Sequence, residues 1–429
     1  MIRKDIFNES RTLSGKPVDI KQHNQRLVIS LLSGGEIMSA GDLSSITDLS
    51  KTTISKILAE LCKRNIVRSA GKGDSTTEGG KKPELFSINE DLAISIVLSM
   101  FQAGELTCTA VNLGGKVLLE QRYALDDNTS YVNLVGQMKT ALQNIKANLG
   151  STAETICAVA IAYSGVSNTE TGEILYPRHS STAVFCPLKT DLQKELPRLE
   201  APIFIDNTCH YSGYAELLFP ENKELDNLVV ISCGQEVNSC ILSDQRLMPG
   251  CRGIVGEFAH IVIDPDSPNC CYCGAHGCLE SLLSERAILS RARKQGPNYP
   301  FSETARHVMQ GTGDVEEIFA AAFNNDIYAQ EVLEPIIKYL AILIRDISSL
   351  INVPKIILQG MYARAGNRFL DMIRKRLDEY NQLHIHSDLD VEFSKYSMES
   401  AEKDAYACIR GASYYTSNIY LERLVETFH

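Results

Sequence analysis

Residues 256–280 read Gly-Glu-Phe-Ala-His-Ile-Val-Ile-Asp-Pro-Asp-Ser-Pro-Asn-Cys-Cys-Tyr-Cys-Gly-Ala-His-Gly-Cys-Leu-Glu. One histidine, His260, precedes Cys271-x-Cys273 and then Cys278, in a stretch rich in Pro, Asp, Asn and Gly. An imidazole nitrogen and three thiolates in a turn-rich loop form a closed tetrahedral set of the kind structural zinc takes. The bland alternative is a cysteine-rich loop without metal. Four cysteines within nine residues, with Gly274 and Gly277 among them, argue against it.

The other cysteines behave differently. The chain has 13, an odd number, and Cys108, Cys157 and Cys240 sit singly inside apolar strand patterns. Such thiols are small core hydrophobes of a reducing compartment. No apolar run approaches the ~18–20 residues that span a bilayer, and the first residues lack the apolar core of a secretory signal. A cytoplasmic location without membrane attachment is expected.

At 429 residues the chain is long for one domain. Its net charge of -11 conceals an asymmetry: residues 1–90 hold 14 Lys+Arg against 11 Asp+Glu, so the acidity lies in the remainder. A weakly basic head on an acidic body suits a protein that meets DNA with its first fifth.

Within that head, Leu27, Val28, Leu31 and Leu32 form one helical stripe, and Ala40, Leu43 and Ile46 a second. Ile54, Ile57, Leu58 and Leu61 form a third behind Ser50 as N-cap. Thr47-Asp48-Leu49 is a turn of helix-turn-helix length. The third helix begins with Lys51, Thr52, Thr53, Ser55 and Lys56, donors suited to base edges and phosphates in a major groove. Residues 66–68 and 85–88 read as two strands joined by a Gly- and Lys-rich wing, where Lys72, Lys81 and Lys82 are candidates for the phosphate backbone. An ordinary helical bundle with a solvated Lys/Thr face is the competing reading. Residues 1–20 read as an irregular arm, 21–90 as a winged helix-turn-helix, and 91–429 as a two-lobed body.

In the body, 94–98, 106–112 and 116–123 read as strands, the last two joined at Gly114-Gly115. A helix with Val132, Val135, Met138, Ala141, Leu142 and Ile145 inward follows, then a buried strand over 156–163. Strands at 228–232 and 239–243, and later 355–358, repeat the arrangement. Two α/β halves, each opening with a β-meander, suggest an internal duplication.

The 256–280 pattern resembles the signature of the repressor–open reading frame–kinase (ROK) family, Gly-Glu-x-x-His with Cys-x-Cys-Gly-x-x-Gly-Cys-x-Glu. Glu257, His260, Cys271, Cys273, Gly274, Gly277, Cys278 and Glu280 match it. The likeness covers essentially the whole chain, because family repressors place a winged helix before the sugar domain, with a wing like Gly79-Gly80-Lys81-Lys82-Pro83. It implies an actin-like, ribonuclease H-like sugar-kinase fold of two lobes with sugar in the cleft. It also implies one structural zinc per chain on His260, Cys271, Cys273 and Cys278. His260 lies one residue further from Cys-x-Cys than is usual, which makes Cys270 a rival for Cys271. The resemblance places a sugar or sugar phosphate against Asn207, Glu257, His260 and Glu280. Ser164-Gly165 stands where kinases of the family carry Pro-Gly.

The kinase parts are degraded. The family's catalytic Asp aligns with Thr208, and a threonine hydroxyl has no useful basicity near neutral pH. The first phosphate turn reads Ser-Met-Phe-Gln-Ala-Gly-Glu over 99–105, the second Gly234-Gln235-Glu236, and the adenosine-side Gly-Gly is Gln359-Gly360. Bulk and negative charge oppose a polyphosphate there. The expected protein is a sugar-responsive repressor that binds operator DNA as a homodimer or dimer of dimers. A working ROK sugar kinase, or a repressor controlled by a protein partner, is the alternative.

Overall fold

The computed structural model describes residues 17–427 apart from 74–81, 103, 127–128, 178–179, 181, 224, 245, 249–254 and 381–387. The chain divides into two compact units. The first comprises Met1–Ile174, Cys186–Glu224 and Cys408–His429, and the second Leu175–Phe185 and Leu225–Ala407.

The first unit opens with α1 (Pro17–Leu32), β1 (Met38–Ser39), α2 (Ala40–Thr47), α3 (Lys51–Lys63), β2 (Val67–Lys72) and β3 (Glu84–Ile88). Residues 17–20, read from sequence as part of an irregular arm, instead begin α1. Helix α2 starts with a capping box between Ser39 and Asp42 and ends at Asp48, whose φ of 55° is left-handed. Ser50 then accepts the Thr53 N–H at 3.2 Å and starts α3. The strands form a sheet of order β1-β3-β2, so the unit is a winged helix-turn-helix. The two-residue β1 is too short to register as a sequence pattern.

Next come β4 (Ile94–Ser99), β5 (Glu105–Asn112), β6 (Val117–Ala124), α4 (Tyr131–Leu149) and β7 (Ile156–Tyr163). Then follow the short strands β8 (Ser167–Asn168), β9 (Glu173–Tyr176) and β10 (Val184–Cys186), α5 (Leu188–Glu195), β11 (Ile203–Asn207) and α6 (Thr208–Glu216). The main sheet has order β11-β7-β4-β5-β6. The β4–β5 and β5–β6 pairs are antiparallel, while β4–β7 and β7–β11 are parallel. Every residue of β4 is buried, as expected of an inner strand covered on both faces.

The second unit contains β12 (Asn227–Cys233), β13 (Val237–Ser243), β14 (Arg246–Leu247), α7 (Glu280–Leu283), α8 (Glu285–Gln295), α9 (Glu303–Gln310), α10 (Val315–Phe323) and α11 (Ile327–Ile351). It continues with β15 (Lys355–Gly360), α12 (Met361–Arg364), α13 (Asn367–Tyr380), β16 (Asp390–Phe393), α14 (Lys395–Glu399) and the start of α15 (Ala401–Glu426). Its sheet order is β14-β13-β12-β15-β16. Numbered within each unit, both sheets run 3-2-1-4-5 with the same parallel and antiparallel pairs, which is the duplicated topology of the actin-like fold. No helix among the described residues is long and apolar enough to cross a membrane.

The core of the winged helix is not closed by its own residues. Val28, Leu31, Leu32, Leu43, Ile54 and Leu58 pack with Leu113 of the β5–β6 turn and with Leu421 and Val425 of α15. Arg26 pairs with Glu426 at 2.9 Å beside them. A head delimited at residue 90 therefore lacks part of its core. Leu421→Ala should cost about 2–5 kcal/mol, as large-to-small core changes do. Urea unfolding should move to a lower midpoint, and proteolysis should cut first within 17–90. An unchanged midpoint and cutting pattern would show that α15 is not part of this core.

Candidate functional site

The loop between β14 and α7 is held by its own backbone. Val262 bridges Cys278 and Cys270 bridges His276 in two isolated antiparallel pairs. Cys271 N–H donates to Ala275 O at 2.8 Å and Gly277 N–H to Asn269 O at 3.0 Å. Gly277 has φ +67°, and a Cβ there would lie 1.7 Å from the Asp264 carbonyl oxygen. Only glycine fits. This fold gathers one ligand atom each from His260, Cys271, Cys273 and Cys278 within 4.8 Å of one another. Cys273 and Cys278 sulfurs are 3.6 Å apart, and Cys271 Sγ is 3.7 Å from His260 Nδ1. A tetrahedron with Zn–S arms of ~2.3 Å and a Zn–N arm of ~2.0 Å has edges of about 3.8 and 3.5 Å, so the donor set fits. Cys270 lies outside the group, exposed, with its thiol donating to Cys271 O at 3.4 Å.

Burial pushes the Cys271 thiol up to about 12. Cys278 rises to about 11, through burial and then its neighbour Cys273. Burial also opposes ionisation of Cys273, but the Ala275 backbone and the adjacent thiols outweigh it and hold that pKa below its ordinary value.

The residues read as sugar-binding divide between the units. In the first, Ser164, Gly165, Asn207 and Thr208 lie at the C-terminal ends of the parallel strands β7 and β11, where α/β sheets bind ligands. Asn207 caps α6 by accepting the Cys209 N–H at 2.7 Å, and its amide donates to Gly165 O at 3.0 Å. Gly165 has φ +149°, and a Cβ there would meet the Tyr163 ring at 2.8 Å. Thr208 is buried in the first turn of α6. Asp206 is engaged with that turn: its Oδ1 accepts the Asn207 N–H at 2.7 Å and pairs with His210 Nδ1 at 2.5 Å. His210 was not singled out in the sequence, because Asp206 lies at the end of a strand and His210 at the start of a helix, and only the turn between them brings the two together.

In the second unit, Glu257, His260 and Glu280 are carried by the cysteine loop and its ends. Glu280 is buried; its Oε2 accepts the Val237 N–H at 2.8 Å, and Oε1 faces Arg286 at 3.6 Å. It thereby clamps the start of β13. His260 Nε2 lies 3.1 Å from the Tyr272 hydroxyl. Burial, then the charges of Glu280, Glu236 and Glu257, push the Tyr272 phenol well above its ordinary range.

Each of the three turns that resemble nucleotide contacts has a backbone donor engaged internally. Phe101 N–H donates to Ser99 Oγ at 3.2 Å, Gly234 N–H to Glu236 O at 3.0 Å, and Gly360 N–H to Ser397 Oγ at 2.9 Å. Asp404 hydrogen-bonds Ser397 and pairs with Arg364 at 3.0 Å, and Arg364 also pairs with Glu316. Glu285, whose N–H donates to Gly234 O, is raised above the usual carboxylate range by burial and then by Asp314 and Glu316. Two acidic residues, Glu236 and Glu285, thus lie in or next to the second turn.

On α3, Lys51, Thr52, Ser55 and Lys56 are exposed, and Thr53 is half-buried with its hydroxyl 2.9 Å from Ser50 Oγ. Lys72 is exposed at the end of β2 opposite Glu84, and Lys82 is exposed before β3. Lys81, with Gly79 and Gly80, lies outside the described residues.

A sequence model of the ROK family matches residues 103–415. A xylose repressor of Caldicellulosiruptor bescii is 25% identical over 389 residues, covering 88% of this chain and 92% of the relative. An N-acetylmannosamine kinase of Haemophilus influenzae is also 25% identical, but over 74% of this chain and 98% of its own length. A solved ROK family transcriptional regulator, described as a homologue of the E. coli MLC protein, superposes with TM-score 0.74 at 26% identity. It covers 95% of this chain and 99% of its own.

Two raised thiol pKa values make the metal prediction pH-dependent. Cys271 and Cys278 carry protons near neutral pH and must lose both to bind a metal, so affinity should rise with pH. Chelator competition with Zn2+ should show a gain of at least about 100-fold per pH unit between pH 6.5 and 7.5, from the protons that Cys271 and Cys278 release. Cys273→Ser should abolish that binding. A pH-independent affinity, or full binding by the serine variant, would contradict the assigned donor set.

Proposed function

The chain belongs to the ROK family, and from that premise we propose that it is a sugar-responsive transcriptional repressor whose body binds a sugar without phosphorylating it. The observation that carries this reading is coverage. The kinase relative aligns over 98% of itself yet leaves about a quarter of this chain unmatched, whereas the regulator structure covers 95%. That quarter is about the size of the winged-helix head. Operator DNA meets the exposed start of α3 at Lys51, Thr52, Thr53, Ser55 and Lys56, and the wing lysines Lys72, Lys81 and Lys82 reach the phosphates. Two heads on a homodimer, or on a dimer of dimers, read two half-sites.

In the body, one structural zinc sits on His260, Cys271, Cys273 and Cys278. When bound it neutralises the thiolates and braces the loop that presents Glu257 and Glu280. Ser164, Gly165, Asn207, Thr208, Glu257, His260 and Glu280 supply the effector site. Carboxylates and amides of this kind take vicinal hydroxyls bidentately.

Phosphoryl transfer needs a base and a nucleotide cradle. Thr208 provides no base. The engaged N–H groups of Phe101, Gly234 and Gly360, and the acids Glu236 and Glu285 in and beside the second turn, oppose a polyphosphate. A repressor gains from this loss, because turnover would consume the signal that binding reports.

In a coupled assay with ATP, Mg2+ and a panel of aldoses and N-acetylhexosamines, no sugar should be turned over. Glu257→Ala should bind operator normally yet lose its response to sugar. Measurable turnover would revive the kinase reading, and a retained response in Glu257→Ala would remove that residue from the effector site.

A further inference from the structure

Tyr272 stands between two ligands, in Cys271-Tyr272-Cys273, and nothing proposed above uses it. Its ring meets the His260 imidazole edge to face, with centroids 5.1 Å apart and planes at 88°. Its hydroxyl is 3.1 Å from His260 Nε2, while the other ring nitrogen, Nδ1, faces the Cys271 sulfur at 3.7 Å. A neutral imidazole carries one N–H. When Nδ1 gives its lone pair to a metal, the proton is on Nε2, which can then only donate. A phenol oxygen at hydrogen-bond distance is its acceptor.

We propose that Tyr272 is a positioning residue of the metal centre: its oxygen accepts the His260 Nε2–H and fixes both the tautomer and the plane of the ring. The inference rests on the metal reading above. Ligating histidines are commonly held this way by an outer partner, usually a carboxylate or a backbone carbonyl. Here the partner comes from within the ligand loop itself. The peptide that supplies two sulfurs also supplies the oxygen that turns the imidazole toward them, so closing the loop completes the ligand set and its orientation together.

Full-length wild type and Tyr272→Phe, compared by chelator competition at one pH, test this. Both should bind one Zn2+ per chain, with the Phe variant weaker by about 10- to 100-fold, the usual loss when an outer partner is removed. The visible bands of the Co2+-substituted forms should differ, because the ring is no longer held in one plane. In 15N-histidine-labelled wild type, a slowly exchanging Nε2–H signal should be present and should vanish in His260→Gln. Equal affinities with identical Co2+ spectra, or no protected Nε2–H in wild type, would overturn the assignment and leave the metal reading standing. A wild-type chain that binds no Zn2+ would overturn both.

Discussion

Three cysteine sulfurs and an imidazole nitrogen lie within 4.8 Å of one another in a loop fixed by backbone hydrogen bonds and by a glycine no other residue can replace. As thiolates those sulfurs repel one another, and as thiols the buried Cys271 and Cys278 leave polar protons with few acceptors. A doubly charged ion at their centre would resolve both problems. The proposed sensor depends on this closure. Glu257 lies three residues before the first ligand and Glu280 two after the last, so a loop held at four points sets the positions of both acids. Glu280 passes the constraint on to the sheet, because its carboxylate accepts the Val237 N–H at the start of β13.

The same sheet, built twice with order 3-2-1-4-5, supplies the scaffold on which this loop and the β11–α6 turn are displayed. Inner strands buried on both faces make each sheet rigid and leave the strand ends and their loops to vary. In each of the three turns that align with nucleotide contacts one backbone N–H, of Phe101, Gly234 or Gly360, is engaged within the protein. The helix that ends the second unit enters the first and closes the core of the winged helix with Leu421 and Val425.

Much of this was legible in the sequence because it is local. The cysteine spacing, the alternating and continuous apolar strands, the cap Ser50 and the Lys/Thr start of α3 are patterns within about a dozen residues. What escaped reading depends on contacts across the chain. Leu421 and Val425 look like any apolar pair on a helix, and only folding brings them to Val28 and Leu32. Tyr272 reads as an arbitrary residue between two ligands until His260 is folded against it. β1 is two residues long, and its pairing with Phe86 and Leu85 carries no periodic signal. Asp206 and His210 come together only at the strand-to-helix turn between β11 and α6.

The central claim is that one chain couples operator binding to sugar binding. DNA selected from a random pool by the full-length, zinc-loaded protein can be titrated by fluorescence anisotropy with and without each member of a sugar panel. The account predicts that at least one sugar changes the DNA Kd by about 5- to 150-fold, and that the selected DNA changes that sugar's Kd by the same factor, as linkage requires. A selected DNA bound with one Kd across the whole panel would contradict it.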